Sequence, residues 1–80
     1  MRPTDLTNVL HARPLRPFRI VMSDGTMYEV RHPEMVIVAR STAVIGYPDP
    51  ASPEVAERYD IVALAHIVRI EFIEQPAPAG

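Results

Sequence analysis

A mostly β fold is what this sequence predicts: one N-terminal helix, then a five- or six-stranded, strongly bent antiparallel small barrel. Near the N-terminus apolar residues recur with helical spacing, at i, i+3 and i+4. Farther along they alternate with a period of two or form short runs, and turn-forming pairs such as Asp24-Gly25 separate these runs. Many short strands joined by tight turns are typical of a small barrel or a sandwich.

The first element is predicted to be a helix over residues 4–12. Thr4 is expected to cap its start, and Pro14 ends it because the residue before a proline is pushed out of the helical region. A helix this short is not stable alone, so it must pack on the strands. The side chains that would do so form one stripe: Leu6, Val9 and Leu10.

The first two strands are predicted as a hairpin. Residues 18–23 alternate with a period of two, and residues 26–32 form the return strand. Asp24-Gly25 between them predicts a two-residue type I′ turn. Pro33 then breaks the sheet, because proline cannot donate to a central ladder.

The second half of the chain predicts the remaining strands. Residues 35–39 and 42–47 form the third and fourth strands. Residues 48–53 are interpreted as a proline-rich loop, with one helical turn over 54–57. The stretch from 59 to 73 exceeds a typical strand and is predicted to kink near Ala65-His66. Residues 1–75 are thus predicted to form one domain, with residues 76–80 a flexible tail.

Length and composition together indicate self-association. A chain of 80 residues buries little of its surface, and without cysteine it cannot use disulfides, yet 48% of its residues are hydrophobic. Chains of this size usually need a disulfide, a metal or a partner. The runs 35–39 and 61–68 are apolar on both faces, which is more than one small core hides. A homo-oligomer is therefore expected.

The net charge argues against non-specific electrostatic binding of nucleic acid. The formal net charge is −2, and all eight basic residues are arginine. A local basic patch at Arg13, Arg16 and Arg19 is still compatible with this composition. The longest apolar run is far too short to span a bilayer, and no signal peptide is visible, so a soluble, cytoplasmic protein without a membrane partner is expected.

The order of these elements resembles that of the Sm-like family, in particular its Hfq-like bacterial RNA chaperones. The matching pieces are a helix (residues 6–13), a strand with its Asp-Gly turn (18–25), an apolar strand (35–38) and a closing pair with a histidine at its pivot (65–70). The chain also resembles short bacterial proteins that carry Pro-Phe-Arg-Ile, Asp-Gly and His-Pro-Glu in this order. The resemblance implies an Sm-like or SH3-like small barrel.

The resemblance also implies an assembly and a ligand. In the family, the fourth strand of one subunit pairs with the fifth of the next, which closes a ring and removes exposed edges. The stretch from 67 to 73 is the corresponding edge here. Counting alternate residues places its predicted interface residues on the outward face: Ile67, Arg69, Glu71 and Ile73. The ligand implied is single-stranded RNA, with His66 facing the pore. Ala65 replaces the lysine of the family pattern, and the glutamines that read RNA there have no counterpart.

The candidate RNA-binding residues each have a simpler interpretation. His66 could contact a phosphate or a base edge, or it could be a histidine hydrogen-bonded at a strand kink. Arg13, Arg16 and Arg19 could form an anion-binding rim, or they could pair with nearby acids at the surface. Tyr28 could stack on a base, or it could pack within its strand.

Catalysis is not predicted. The chain has no cysteine nucleophile, its glycines form no phosphate-binding loop, and its serines lack a glycine-framed elbow. Its three histidines lack paired metal-ligand spacing, and His32-Pro33-Glu34 is interpreted as a bend. No metal, cofactor or enzymatic activity is expected. Two functions follow: an Sm-like oligomer that binds single-stranded RNA, or an oligomeric scaffold or protein-interaction module that binds no nucleic acid.

Overall fold

The computed structural model describes residues 1–73, and it confirms a mostly β chain with one N-terminal helix. Residues 76–80, predicted as a tail, lie outside the described residues, as do the last two residues of the predicted domain. The elements are α1 (Pro3–His11), β1 (Phe18–Met22), β2 (Met27–Val30), β3 (Val36–Val38), β4 (Thr42–Asp49), β5 (Ser52–Ala63) and β6 (Ile67–Phe72).

The six strands form two antiparallel sheets rather than one closed barrel. Sheet A has the order β2-β1-β6, and sheet B has the order β3-β4-β5. The chain passes between the sheets at two 3-10 turns, Pro33–Met35 and Leu64–His66. The breaks predicted at Pro33 and near His66 are therefore confirmed. The two turns separate sheet A from sheet B, because the hydrogen bonds of a 3-10 turn form between residues three apart and not with a neighbouring strand.

One core joins the helix to the inner faces of both sheets. Leu6, Phe18 and Ile20 are fully buried, and they come from α1 and β1. Sheet B contributes residues spaced by two, as strand geometry requires. The remaining core side chains are Leu10, Met22, Val30, Val36, Ala43, Ile45, Val62, Leu64 and Ile67. This burial stabilises a helix that is too short to persist alone.

The helix begins one residue earlier than predicted, and Thr4 does not cap it. Pro3 occupies the first helical position, where its missing N–H costs nothing, and the cap position falls on Arg2. The Asp5 carboxylate accepts the Arg2 backbone N–H at 3.2 Å. No helix within residues 1–73 has the length and apolar character needed to cross a bilayer.

The β1–β2 turn is wider than the predicted type I′ turn. The Gly25 N–H donates to the Met22 carbonyl oxygen at 3.0 Å, and the Met22 N–H donates to the Thr26 carbonyl oxygen at 2.8 Å. Gly25 alone has a positive φ, of 90°, so Asp24 does not adopt the conformation that type I′ needs. The loop is a type I turn followed by a glycine bulge, the usual three-residue hairpin.

The predicted loop at 48–53 and helical turn at 54–57 are wrong. β4 continues to Asp49, β5 begins at Ser52, and only two residues separate them. The prolines are accommodated because the register shifts on both sides of Pro48, and bulges tolerate a missing donor. Residues 48–59, which we call the hairpin arm, therefore extend sheet B, and every residue from 50 to 59 is exposed.

Candidate functional site

Arg13 and Arg16, two of the three arginines predicted to form an anion-binding rim, have different partners. The Arg13 guanidinium donates to the carbonyl oxygens of Leu10 and Ala12 at 3.0 and 2.9 Å, so it satisfies acceptors at the end of α1. The Arg16 guanidinium lies 3.9 Å from the centroid of the Phe72 ring, a cation–π contact.

Arg19, the third, lies in a row of alternating charges on the outer face of sheet A. In the strand register Arg19 sits between Glu29 of β2 and Glu71 of β6. Each glutamate also pairs along its own strand, Glu29 with Arg31 at 3.2 Å and Glu71 with Arg69 at 2.6 Å. Carboxylates on both sides of Arg19 disfavour an anion there. The three arginines therefore share no common anion site.

His66 and Tyr28, by contrast, line one cleft. It has a volume of about 410 Å³ and lies between the β1–β2 turn and the end of β5. The Ser23 Oγ is 3.4 Å from the His66 Nδ1, and the Ser23 N–H donates to the His66 carbonyl oxygen at 2.8 Å. The second 3-10 turn and the first hairpin thus fix each other and form the wall of the cleft.

A carboxylate of the same cleft is strongly held. The Asp24 side chain accepts the Thr26 N–H at 2.9 Å, and this bond keeps the pKa of Asp24 below its usual range. Burial, followed by the carboxylates of Asp60 and Asp24, raises the pKa of Tyr28 above its usual value. At neutral pH the cleft thus combines an anionic Asp24 with a neutral phenol, a balance that favours neutral or cationic groups over phosphate.

A second phenol, Tyr47, is held by a cross-strand network between β4 and β5. The Tyr47 hydroxyl donates to the Asp60 carboxylate at 2.8 Å, and the Arg58 guanidinium stacks 3.8 Å from the Tyr47 ring centroid. Arg58 also lies 3.8 Å from the Asp60 carboxylate. Burial first, and then the bond to Asp60, raise the pKa of Tyr47 to about 12. This network links β4 to β5 at the base of the hairpin arm.

The cleft can hydrogen-bond a ligand, but it lacks a nucleophilic relay. The Ser23–His66 separation is at the long limit of a hydrogen bond, and the Asp24 carboxylate bonds Thr26 rather than the imidazole. Across residues 1–73, no group of three histidine, aspartate or glutamate side chains is placed to hold a metal ion.

Two sheet edges are open where β5 and β6 meet. The Ile73 N–H donates to the Pro17 carbonyl oxygen, so alternate residues such as Ile70 and Phe72 direct their amides away from β1. The Leu64 N–H donates to the Ser41 carbonyl oxygen at 2.9 Å, so the N–H groups of Ile61 and Ala63 point away from β4. Unpaired edges of this kind are templates for another strand.

The four predicted interface residues do not share one exposed face. Ile67 is 6% exposed and belongs to the core, so its placement on the outer face was wrong. The bulge that leaves Val68 without a partner in β1 turns the strand at this point. Arg69 and Glu71 remain on the outer face as an ion pair, and Ile73 is half-buried at the end of the strand. Val68, which is 58% exposed, takes the place that Ile67 was expected to have.

The outer face of sheet B is apolar. In the strand register Ile37, Val44 and Ile61 lie side by side across all three strands, and Tyr59 follows Ile61 on the same face. Ile37, Tyr59 and Ile61 are each about two-thirds exposed, at 65%, 64% and 64%. We call these four residues the apolar face.

The sequence contained a signal for this face. Runs that are apolar on both sides indicated more apolar surface than one core hides, and they included Ile37 and Ile61. Tyr59 and Val44 could not be placed, because their face depends on a register that the misassigned 48–57 segment obscured.

Comparisons with known proteins add no relative: no family model, curated protein or solved structure matches this chain.

Proposed function

We propose that this protein is a non-catalytic, self-assembling interaction module whose subunits join through the open edges of β5 and β6. The observation that carries the proposal is the pair of unpaired edges, one in each sheet, that flank the second 3-10 turn. If the β5 edge of one subunit pairs with the β6 edge of the next, sheet B of the first subunit and sheet A of the second become one continuous sheet.

Exposed apolar side chains on these strands support the proposal. β6 carries Val68 and Phe72, which are 58% and 41% exposed, and β5 carries Val55, Tyr59 and Ile61. Proteins that remain monomeric blunt their edge strands with charges, prolines or covering segments. The only charged side chains of β6, Arg69 and Glu71, neutralise each other at 2.6 Å. Little electrostatic repulsion therefore opposes a neighbouring strand at β6.

The connectivity supports the Sm-like barrel as the finer description of this fold. A helix precedes a short strand, a 3-10 turn precedes the last strand, and that last strand returns to β1. The Sm-like plan places subunit contacts at the strands on either side of that turn. The proposed assembly is therefore a ring, or another closed oligomer, of small β subunits.

A pair of lysine substitutions on opposite edges of sheet A tests the proposal. Val68 in β6 and Met27 in β2 are both 58% exposed, so Val68→Lys and Met27→Lys change surface charge equally. Multi-angle light scattering after size-exclusion chromatography would measure the mass. We expect Val68→Lys to lower the subunit number and Met27→Lys to leave it unchanged. An unchanged mass for Val68→Lys, or a wild-type mass of 9.0 kDa, would refute edge assembly.

Binding of single-stranded RNA is a second candidate, favoured by one observation. His66 and Tyr28, predicted separately as RNA contacts, line the same cleft as the Ser23 hydroxyl. An imidazole, a hydroxyl and an aromatic ring together are groups that hydrogen-bond and stack on an unpaired base. The negative charge of Asp24 and the net charge of −2 oppose it, so the assembly module is the favoured proposal.

A binding titration separates the two functions. If RNA is the ligand, fluorescence anisotropy with short unstructured RNAs should show affinity that weakens steeply with salt. His66→Ala should weaken that binding, and His11→Ala, which removes another exposed histidine, on α1, should not. A flat titration at low salt, with the oligomer intact, would leave only the module without nucleic acid.

A further inference from the structure

The apolar face of sheet B is arranged to meet a copy of itself. Its central row, Ile37, Val44 and Ile61, runs straight across the three strands. With Tyr59 it presents a contiguous apolar patch in which Ile37, Tyr59 and Ile61 are each about two-thirds exposed. The largest apolar patch on a protein surface is often functional. Tyr59 and Ile61 also lie on β5, whose edge the proposed assembly uses, but the face points out of the plane of sheet B and includes no residue of β6.

Side-chain size changes from large to small along the strands of this face. Met35 and Tyr59 lie on one side of the row, each two positions along its strand from a row residue. Ala39 and Ala63 lie at the same distance on the other side. Because side chains two apart share a face, all four flank the row on the outer side of sheet B. On β4 the order is reversed, since Gly46 lies beside Tyr59 and Thr42 lies beside Ala63. On the two outer strands, one half of the face is therefore bulky and the other half is shallow.

Charge changes along the strands in the same direction. Glu34 lies three residues before Ile37 and lines the concave end of the face, which also contains Glu54. Arg40 is an exposed residue of the turn between β3 and β4, which bounds the face at its other end, and it pairs with no carboxylate of residues 1–73. One end of the face therefore carries two carboxylates, of which Glu34 also lies 3.6 Å from the His32 imidazole, and the other end is bounded by an unpaired arginine.

The geometry points to a second copy of this chain as the occupant of the face, related by a two-fold axis along the Ile37–Val44–Ile61 row. Such an axis stacks the row on itself and reverses the strand direction of the partner. The bulky side chains of each copy then lie over the alanines of the other, and each Arg40 faces a Glu34. The two sheets pack about 10 Å apart, as stacked sheets do.

The other face-to-face arrangement lacks this fit. A two-fold axis parallel to the strands keeps the acidic ends together, with Glu34 of β3 near Glu54 of β5 on the copy. It also sets Met35 against Tyr59, bulky on bulky. The apolar centre alone is smaller than the area of about 800 Å² per partner that stable interfaces bury, so the charged ends must contribute. Only the first arrangement makes them attractive.

A charge swap tests this interface. Arg40→Glu places like charges opposite each other at both ends and should weaken face-to-face dimerisation by about tenfold or more. Glu34→Arg should weaken it similarly, and the double variant Glu34→Arg with Arg40→Glu should restore it. Arg2→Glu is the matched control, because it makes the same charge change at an exposed position before α1, outside sheet B. Sedimentation equilibrium, with circular dichroism to confirm folding, supplies the readout.

The Val68→Lys background separates this interface from edge assembly. With the edge blocked, we expect a dimer of twice the 9.0 kDa chain mass, which Arg40→Glu dissociates and the double variant restores. A Val68→Lys chain that stays monomeric at every concentration would overturn the face-to-face dimer and leave the edge proposal standing. Wild-type assemblies that Arg40→Glu disrupts but Val68→Lys does not would overturn the edge proposal and support the face. Failure of the double variant to recover would also overturn the charge pairing.

Discussion

The two sheets of this protein bury their inner faces in one core but have opposite outer faces. Sheet A presents a row of paired arginines and glutamates, whereas sheet B presents isoleucine, valine and tyrosine. Water solvates the first surface well and the second poorly. Since both sheets have three antiparallel strands and similar inner faces, the difference does not serve folding of the single chain. It is the difference on which we base the proposal that sheet B meets a second protein surface.

Truncation of a core side chain should have the largest effect. Phe18 of β1 is fully buried, and Phe18→Ala should lower the free energy of unfolding by about 3–5 kcal/mol. Phe72 lies opposite it in β6 but is 41% exposed, so Phe72→Ala should cost about 1–2 kcal/mol, part of it from the Arg16 contact. Urea denaturation followed by circular dichroism measures both. Equal losses would contradict the placement of Phe18 at the centre of the core and of Phe72 at its exposed edge.

Gly46 in β4 tests how closely Met35 and Ala56 pack over this strand. A Cβ at this position would lie 3.2 Å from the Met35 sulfur and 3.3 Å from both the Met35 carbonyl oxygen and the Ala56 Cβ. Because one of these neighbours is backbone, Gly46→Ala should destabilise the fold by about 1–2 kcal/mol. Thermal denaturation would show it. A neutral or stabilising Gly46→Ala would mean that the arm does not approach the first 3-10 turn this closely.

The Tyr47–Asp60 bond predicts a loss of stability at alkaline pH. The pKa of Tyr47 is raised to about 12 in the folded chain from an ordinary value of 10.0, so its contribution is fully present below pH 10. Above that pH the unfolded chain ionises first, and the contribution disappears as the pH approaches 12. Tyr47→Phe should remove this component from the pH dependence of unfolding. A tyrosinate absorbance titration that is identical in both proteins would contradict it.

Substitution of the charged row on sheet A should have the smallest effect. Arg31→Ala removes an exposed pair with Glu29, and such pairs contribute about 0.2–1 kcal/mol. The oligomer mass should not change, because this surface faces water. Dissociation of the oligomer by Arg31→Ala would reverse the assignment of the two outer faces.

Local pattern predicted most of the framework of the fold. The stripe of α1, the alternation in β1 and the break at Pro33 follow from residue periodicity and from the missing proline N–H, and the structure contains all three. The histidine at the kink before β6 was also predicted, because fifteen residues exceed an ordinary strand.

The features that the sequence did not predict depend on strand register and on tertiary contacts. Prolines at 48, 50 and 53 are typical of a loop, yet bulges beside Pro48 let the strands continue around a two-residue turn. Ile67 was assigned to the outside by counting alternate residues, and the bulge after it breaks that count. Arg13, Arg16 and Arg19 are close in sequence, but a helix end, an aromatic ring and a sheet face separate their partners.

The central claim is that this chain assembles with copies of itself. Sedimentation equilibrium of the full wild-type chain, over a wide range of concentration, tests it most directly. We predict a mass that is a multiple of 9.0 kDa and that falls when Val68→Lys blocks the edge of β6. A single species of 9.0 kDa at every concentration would contradict both the edge assembly and the paired apolar faces.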